Sequence, residues 1–212
     1  MQNAFCPLCR SKQTIEFYQD KQRPYLRCLN CFLVFVAETA HLSLVGEKAI
    51  YDLHQNNLLD EGYQKFLTRL RTPLLPYLKT SSHGLDYGCG PAPLLARLME
   101  NAGHPMAVYD PFYASDESVL NQRYDFITCS EVAEHFRQPQ SEFQRLFGLL
   151  NSDGILAIMT KRVTNQDAFS RWHYKNDLSH ISFFSETTFL WLADRYSYHV
   201  DFPCADVAIF KP

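Results

Sequence analysis

The chain reads as an α/β protein: a doubly wound, mostly parallel sheet with a closing antiparallel strand, preceded by a small cysteine-rich segment and a helical connector. Three observations predict this. From residue 84 onward short apolar runs alternate with amphipathic stretches, the pattern of strands joined by helices into a Rossmann-like parallel sheet. Two neighbouring runs, YHVDF and VAIFK, end the chain and read as the closing pair. Four of the seven cysteines fall in two CxxC pairs within the first 31 residues, a spacing that belongs to a metal-held ribbon. The expected organisation is a zinc ribbon over 1–38, a helical connector over 39–80, and the α/β domain over 81–212.

Taken in order, CPLC is followed by a strand, TIEFYQ, a turn, DKQRP, and the run YLRCLNCFLVFV. Residues 43–55 and 60–71 carry apolar positions at helical spacing, and Pro73 and Pro76 are expected to break the helical pattern there. GLDYG is a strand, and LLARLMENAGH is a helix closed by Gly103. MAVYD is a strand ending on Asp110, and YDFITCS is the next. EFQRLFGLL is a helix, GILAIMT a strand, and TTFLWLADRY the last helix.

At 212 residues, 46% hydrophobic and 20% charged, the chain has material for one full domain and a small appendage. No run of eighteen apolar residues is present, so no membrane span is expected. The N-terminus MQNAFCPLCRSK has no apolar signal core, and an odd cysteine count with CxxC pairs favours a reducing, cytoplasmic setting. The net charge of −3 argues against nucleic-acid binding by charge alone. A local basic stretch does exist: Arg10, Lys12, Lys21, Arg23 and Arg27 face only Glu16 and Asp20, with Phe17, Tyr18 and Tyr25 interleaved.

The glycine loop carries the sharpest chemistry. In LDYGCGPAP, Gly88 and Gly90 fit the start of a GxGxxG fingerprint, but Pro93 holds the third glycine position. Asp86 would repel a pyrophosphate and attract an ammonium. A cofactor with an amino-acid tail fits better than NAD, and S-adenosylmethionine has such a tail beside a cationic sulfonium. Asp110, 24 residues after Asp86, can accept hydrogen bonds from both ribose hydroxyls. A tight strand-to-helix turn and a turn-forming aspartate before Pro111 are the plainer readings of the same residues.

LDYGCGPAP resembles motif I of the class I S-adenosylmethionine-dependent methyltransferases. VYDPF resembles their ribose-binding acid, YDFITCSEVAEHF their fourth strand and its loop, and GLLNSDGILAIMT the next turn and strand. The likeness covers residues 84–212 and points to a branch that includes quinol-type O-methyltransferases. It implies that Asp86, Gly88 and Gly90 line the methionine moiety, that Asp110 holds the ribose, and that Ser130 and Glu131 lie beside the cofactor. One departure stands out: the fourteen residues Pro111–Tyr124 leave no room for a helix and third strand. The usual adenine-contacting acid then lacks a counterpart, and Phe112 or Tyr113 is the local candidate.

Cys6, Cys9, Cys28 and Cys31 give CxxC-x18-CxxC, two knuckles offering a closed tetrahedral site for a structural Zn²⁺. Metal binding supplies folding energy that some thirty residues cannot draw from a core. Buried or redox-active thiols are the alternative. A ribbon ahead of such a domain resembles ribosomal-RNA guanine methyltransferases and sugar C-methyltransferases, without a motif match to either.

The connector puts Glu47, Tyr51 and His54 on one helix face. The resemblance implies that such a polar aromatic face caps the cofactor; a solvated or core-edge face is the equal alternative, and Tyr63 and Phe66 on the next helix carry the same two readings. Past the GILAIMT strand lies RWHYKNDLSHISFFS. It resembles a recurrent pattern of related sequences at Trp172, Tyr174, Asp177, His180 and Phe183, over the acceptor side of the cleft. Methyl transfer to an oxygen needs a base, and a neutral histidine suits that task. His180 is the first candidate, oriented by Asp177, with His135 the second, while Trp172 and Tyr174 can stack on the acceptor or face the sulfonium. The competing reading has His180 and Asp177 merely pinning a lid.

Three functions are compatible with these residues: a methyltransferase for a small-molecule acceptor, an RNA methyltransferase that docks RNA through the ribbon, and a binding module that has lost catalysis. An NAD oxidoreductase is disfavoured by Asp86 and Pro93.

Overall fold

The computed structural model describes residues 4–53 and 60–212. In chain order these form β1 (Thr14–Gln19), β2 (Pro24–Cys28), β3 (Val34–Val36), α1 (Leu44–Tyr51) and α2 (Glu61–Leu74). There follow β4 (Gly84–Tyr87), α3 (Leu94–Glu100), β5 (Met106–Tyr109), β6 (Tyr124–Ser130), α4 (Pro139–Gly148) and β7 (Leu150–Met159). The chain ends with α5 (Gln166–Ser170), β8 (Ser182–Phe183), α6 (Glu186–Tyr196), β9 (His199–Cys204) and β10 (Val207–Lys211).

The main sheet has the order β5-β4-β6-β7-β10-β9. Its first four strands are parallel, and β10 runs antiparallel between β7 and β9. The expected doubly wound architecture and its closing pair are thus both present. Alternation along the strands explains the two faces. Ile155, Ala157 and Met159 of β7 with Val207 and Ile209 of β10 meet Leu67, Leu70 and Leu74 of α2 and Leu94, Leu95 and Met99 of α3. The intervening Leu156, Ile158, Ala208 and Phe210 meet Phe143 and Leu146 of α4 and Phe189 and Leu192 of α6 on the other side.

Two local signals worked as physics predicts. Ser43 and Asp60 cap α1 and α2 by accepting from Gly46 N and Tyr63 N. Ser185 and Thr188 form a reciprocal capping box at the start of α6. One expectation is corrected: Pro73 does not end the preceding helix, because α2 runs through it to Leu74. The proline removes the N–H that the Arg69 carbonyl would accept, and the Cys204 thiol approaches that carbonyl at 3.9 Å instead.

Between Asp110 and β6 the chain makes only a bridge to Ala114 and a 3₁₀ turn, Glu117–Asn121, so β5 is the sheet edge. The shortened connection read from the sequence is therefore real. The second sheet is antiparallel, β1-β2-β3-β8, and its last strand arrives from far along the chain. Val34 pairs with Phe183 and Phe35 with Ser182. Cys6, Leu8, Leu33 and Phe35 lie in the same apolar cluster as Phe136, Phe143 and Phe184, so the N-terminal segment shares a core with the main sheet.

Candidate active site

The carboxyl ends of β4, β5, β6 and β7 form one rim, where open α/β sheets bind ligands. At its first half lies the glycine loop. Gly88 (φ +80°) and Gly90 (φ +64°) both take left-handed conformations, which non-glycine residues adopt at a cost. A Cβ on Gly88 would lie 2.4 Å from Val132, whereas one on Gly90 would meet nothing within 4 Å. The loop thus presses its first glycine into the protein and leaves open space beside its second, as a cradle for a ligand requires. Asp110 accepts from Gly90 N at 3.0 Å, Phe112 N at 2.8 Å and Tyr113 N at 3.1 Å. One carboxylate therefore fixes both the loop and the turn after β5. Asp86 points inward, accepting from Thr128 Oγ1 at 2.7 Å, and burial pushes its carboxyl up to about 6.

The second half of the rim is built around Tyr174. Its hydroxyl donates to Glu134, lies 3.3 Å from Glu131 Oε2 and 3.3 Å from Thr160 Oγ1. Glu131, at the end of β6, has φ 53°, and burial with the Glu134 charge nearby pushes its carboxyl up to about 8. Burial also raises Glu134, which is fully enclosed. Glu131 Oε1 and Glu134 Oε2 are both buried without a hydrogen-bond partner. Such atoms are costly unless a water or a ligand atom meets them.

His180 stands against this cluster, its ring 4.2 Å from Tyr174 and 4.7 Å from His135. Its Nδ1 lies 2.7 Å from the Tyr174 carbonyl. A carbonyl only accepts, so Nδ1 carries the hydrogen and Nε2 presents a lone pair. Burial holds His180 below its ordinary pKa and therefore neutral near pH 7, against the opposing pull of Glu134. Asp177 Oδ2 is 3.7 Å from Nε2, too far for a hydrogen bond. The orienting role expected of Asp177 thus falls to the Tyr174 carbonyl. Asp177 instead accepts from Ser179 N and Oγ at 2.9 and 2.6 Å. Burial opposes its charge, yet those bonds keep its pKa low. His135 places Nδ1 3.1 Å from the Ser179 carbonyl. Ligand atoms of Glu134, His135 and His180 all lie within 4.8 Å of one another, a set able to hold a divalent cation. Trp172 packs on Phe169, Tyr174 and Phe183 as the aromatic wall behind this group. Ser130 ends β6 opposite Met159, next to Glu131.

Two connector tyrosines join the halves. Tyr51 of α1 lies 5.7 Å from Phe112 and 5.0 Å from His135, and donates to Glu47 at 2.7 Å. Glu47 in turn is gripped by Arg137 at 2.6 Å. Tyr63 of α2 is pushed up to about 12 by burial and by the charges of Asp86 and Glu131, one from each half. His54, the third member of the expected α1 face, lies outside the described residues.

The four N-terminal cysteines converge, with Cys6–Cys31 and Cys9–Cys28 sulfurs 3.5 and 3.4 Å apart and all four within 4.8 Å. As thiols they crowd: hydrogen bonds with Cys6 and Cys9, then burial, raise Cys31 well above its usual pKa. Four thiolates on one cation relieve that crowding, so the set suits Zn²⁺. The basic stretch nearby is open only in part: Arg10, Lys12 and Lys21 are exposed, and Arg27 is half-buried. Phe17, Arg23 and Tyr25 are buried. Arg27 stacks over Phe17 and Phe32, while Arg10 and Lys12 lie over Phe5.

Sequence reasoning missed Glu134, Thr160 and Arg23. Glu134 was marked by an acid three residues after Glu131 in an otherwise apolar loop. Thr160 and Arg23 carried no such signal.

A methyltransferase-domain family profile matches residues 59–201. No curated protein matches the chain significantly. Among solved structures, the 1,6-didemethyltoxoflavin N1-methyltransferase of Burkholderia thailandensis, with its substrate and S-adenosylhomocysteine bound, superposes with a TM-score of 0.53. That alignment covers 92% of this chain and 97% of that one at 16% identity. A SAM-dependent methyltransferase from Archaeoglobus fulgidus superposes with a TM-score of 0.52 over 65% and 70% of the two chains, at 19% identity. An O-methyltransferase family protein from Burkholderia thailandensis gives 0.51 over 77% and 61%, at 10% identity. At these identities the likeness is one of fold.

Proposed function

Since the chain belongs to the methyltransferase-domain family, we propose that it transfers a methyl group from S-adenosylmethionine to an oxygen of a small-molecule acceptor, with His180 as the base. One observation carries the base assignment. A buried, neutral imidazole has Nδ1 fixed on a backbone carbonyl at 2.7 Å, which leaves Nε2 as the acceptor of a ring that packs 4.2 Å from Tyr174. A neutral imidazole in that state accepts a hydroxyl proton as the acceptor oxygen gains its methyl.

The residues also suit the cofactor. The open space beside Gly90 and the carboxylate of Asp110 behind it form a cradle for an amino-acid tail and a ribose. When bound, S-adenosylmethionine supplies an electrophilic methyl carbon on a sulfonium. The protein's part is then positioning and proton removal. Glu131 borders the two halves, while Tyr174 and the half-buried Trp172, backed by the enclosed Phe183, are the aromatic side chains for stacking on an acceptor. A small-molecule acceptor is favoured by the burial of Phe17, Arg23 and Tyr25, which removes three members of the stretch that would dock RNA. It also agrees with the small heterocycle carried by the toxoflavin enzyme of the same fold. We read the cysteine quartet as a structural zinc site, segment 1–38 as its ribbon, and 39–80 as a cap carrying Tyr51 and Tyr63.

A second reading of the acceptor side is favoured by the convergence of Glu134, His135 and His180. In it a divalent cation, rather than free imidazole, lowers the acceptor's pKa. The discriminating experiment offers methyl-labelled S-adenosylmethionine to metabolite and RNA fractions, with and without EDTA and added Mg²⁺ or Mn²⁺. Label in a small molecule, insensitive to EDTA, supports the base reading. Activity restored by Mg²⁺ or Mn²⁺ supports the second, and label confined to RNA overturns the acceptor class.

A further inference from the structure

Arg23 sits at the turn into β2 and is almost fully enclosed, 3% exposed. Its guanidinium does not reach solvent. It reaches across to a segment more than 150 residues away in sequence. Nη1 donates to the Leu178 carbonyl at 2.8 Å, and Nη2 reaches the carbonyls of Lys175, Asp177 and His180 at 3.1, 3.0 and 2.7 Å. Nε donates to Tyr25 Oη at 3.1 Å, and that hydroxyl reaches Asp20 at 2.9 Å and the Lys175 carbonyl at 3.2 Å. Asp20 closes the turn by accepting from Gln22 N and Arg23 N, both at 2.8 Å. One charged fork therefore gathers the carbonyls of the loop that carries His180.

The same loop is otherwise tied by scattered single bonds: Ile181 N donates to the Glu134 carbonyl at 2.8 Å, Ser182 Oγ to the Phe136 carbonyl at 2.9 Å, and the Ser179 carbonyl lies 3.1 Å from His135 Nδ1. Residues 173–176 make one 3₁₀ turn, and the two-residue strand β8 pairs only with β3 in its sheet. Val36 N donates to the Ile181 carbonyl at 2.9 Å. An irregular loop whose carbonyls converge on a single buried guanidinium takes its shape from that group, because each unmet carbonyl in a dry interior is costly. Arginine alone offers five donors in a planar fork.

We propose that Arg23 is a positioning residue of the methyl-transfer site, and that the N-terminal hairpin serves to hold the His180 loop in its working geometry. The basic residue that composition assigns to an RNA-docking face is instead the internal strut of the acceptor site. β2 runs from this strut to Cys28, so the four-cysteine site anchors the far end of the same strand. The inference rests on the methyl-transfer reading for its turnover measurement only.

The test uses the full chain with Arg23→Lys and Arg23→Gln, read in three ways: turnover, S-adenosylhomocysteine affinity by calorimetry, and the ring-nitrogen NMR signals of His180. A loosened loop shifts Nε2 by about 1 Å, which costs roughly 100-fold in rate. Arg23→Gln should lose about that much turnover and Arg23→Lys somewhat less, with S-adenosylhomocysteine affinity unchanged. In both, the protonated Nδ1 signal of His180 should lose its single tautomer. Wild-type turnover with a wild-type His180 signal overturns the proposal. So does a parallel loss of cofactor affinity and turnover, which would make Arg23 a general core residue. Were no methyl acceptor found at all, the His180 signal in Arg23→Lys would still decide the matter, and wild-type binding of S-adenosylhomocysteine would separately judge the functional reading.

Discussion

Gly88 and Gly90 lie two residues apart in one loop, yet alanine at each should do opposite things. At Gly88 an alanine must adopt φ +80°, worth about 1–2 kcal/mol of strain. Its Cβ would also stand 2.4 and 2.7 Å from the two methyls of Val132, overpacking that costs about 1–3 kcal/mol. The sum is about 2–5 kcal/mol, or on the order of 10 °C in thermal midpoint for a chain of this size. At Gly90 the strain is similar but nothing lies within 4 Å, so the cost is about 1–2 kcal/mol. The new methyl instead fills the space assigned to the cofactor. Thermal denaturation without ligand and calorimetry with S-adenosylhomocysteine separate the two. Gly88→Ala should be the less stable, and adding Val132→Ala should recover part of its loss. Gly90→Ala should melt only about 5 °C below wild type and bind at least tenfold more weakly, a loss of about 1.4 kcal/mol. Equal destabilisation of both, or wild-type affinity in Gly90→Ala, would refute the account of the loop.

His180→Ala should cut turnover by about 100-fold or more while leaving S-adenosylhomocysteine affinity intact, and unchanged turnover removes His180 from the chemistry. Because burial depresses the His180 pKa below 6.5, wild-type turnover should rise with pH through an inflection below that value and then level off. Stability of the cofactor-free protein should run the other way. Asp86 is raised from 3.8 to about 6 and Glu131 from 4.5 to about 8. Their contribution is complete below the ordinary values and is lost as pH climbs through the raised ones, so Glu131→Gln should flatten the fall between about pH 4.5 and 8 in urea melts. Cys28→Ser should abolish bound zinc by metal analysis and lower the thermal midpoint by about 10 °C, near 3 kcal/mol. Arg137→Ala strands the buried Glu47 carboxylate and should cost about 2–3 kcal/mol, less than a fully enclosed pair because the arginine is partly wet.

What was legible in the sequence was whatever had a local cause. LDYGCGPAP announced its turn because glycine takes those angles at the least cost, and the cysteine spacing announced a cluster because two CxxC knuckles bring four sulfurs together. The strand and helix alternation implied the sheet, and the short span after Asp110 correctly implied a missing strand. Illegible features depended on distant partners. Arg23 looks like surface charge because nothing near it in sequence shows the four carbonyls it meets. The Asp177–His180 spacing suggests a dyad, yet the Tyr174 backbone takes the hydrogen bond, since a side-chain pattern says nothing about where a carbonyl points. Pro73 reads as a stop because the burial of Leu70 and Leu74 that holds α2 on the sheet is a tertiary effect.

The pairing of β3 with β8 also bears on how the chain comes to exist. Phe35 and Ser182 are joined across most of the sequence, and such long-range closures form late and slowly. During synthesis VFV can pair early with β2 on one side, while its other edge waits until Ser182 and Phe183 emerge. That exposed edge is a natural template for mispairing between nascent chains. A chain cut before Ser182 would therefore keep its glycine loop yet leave that apolar edge open, so the second sheet is closed only near the end of synthesis.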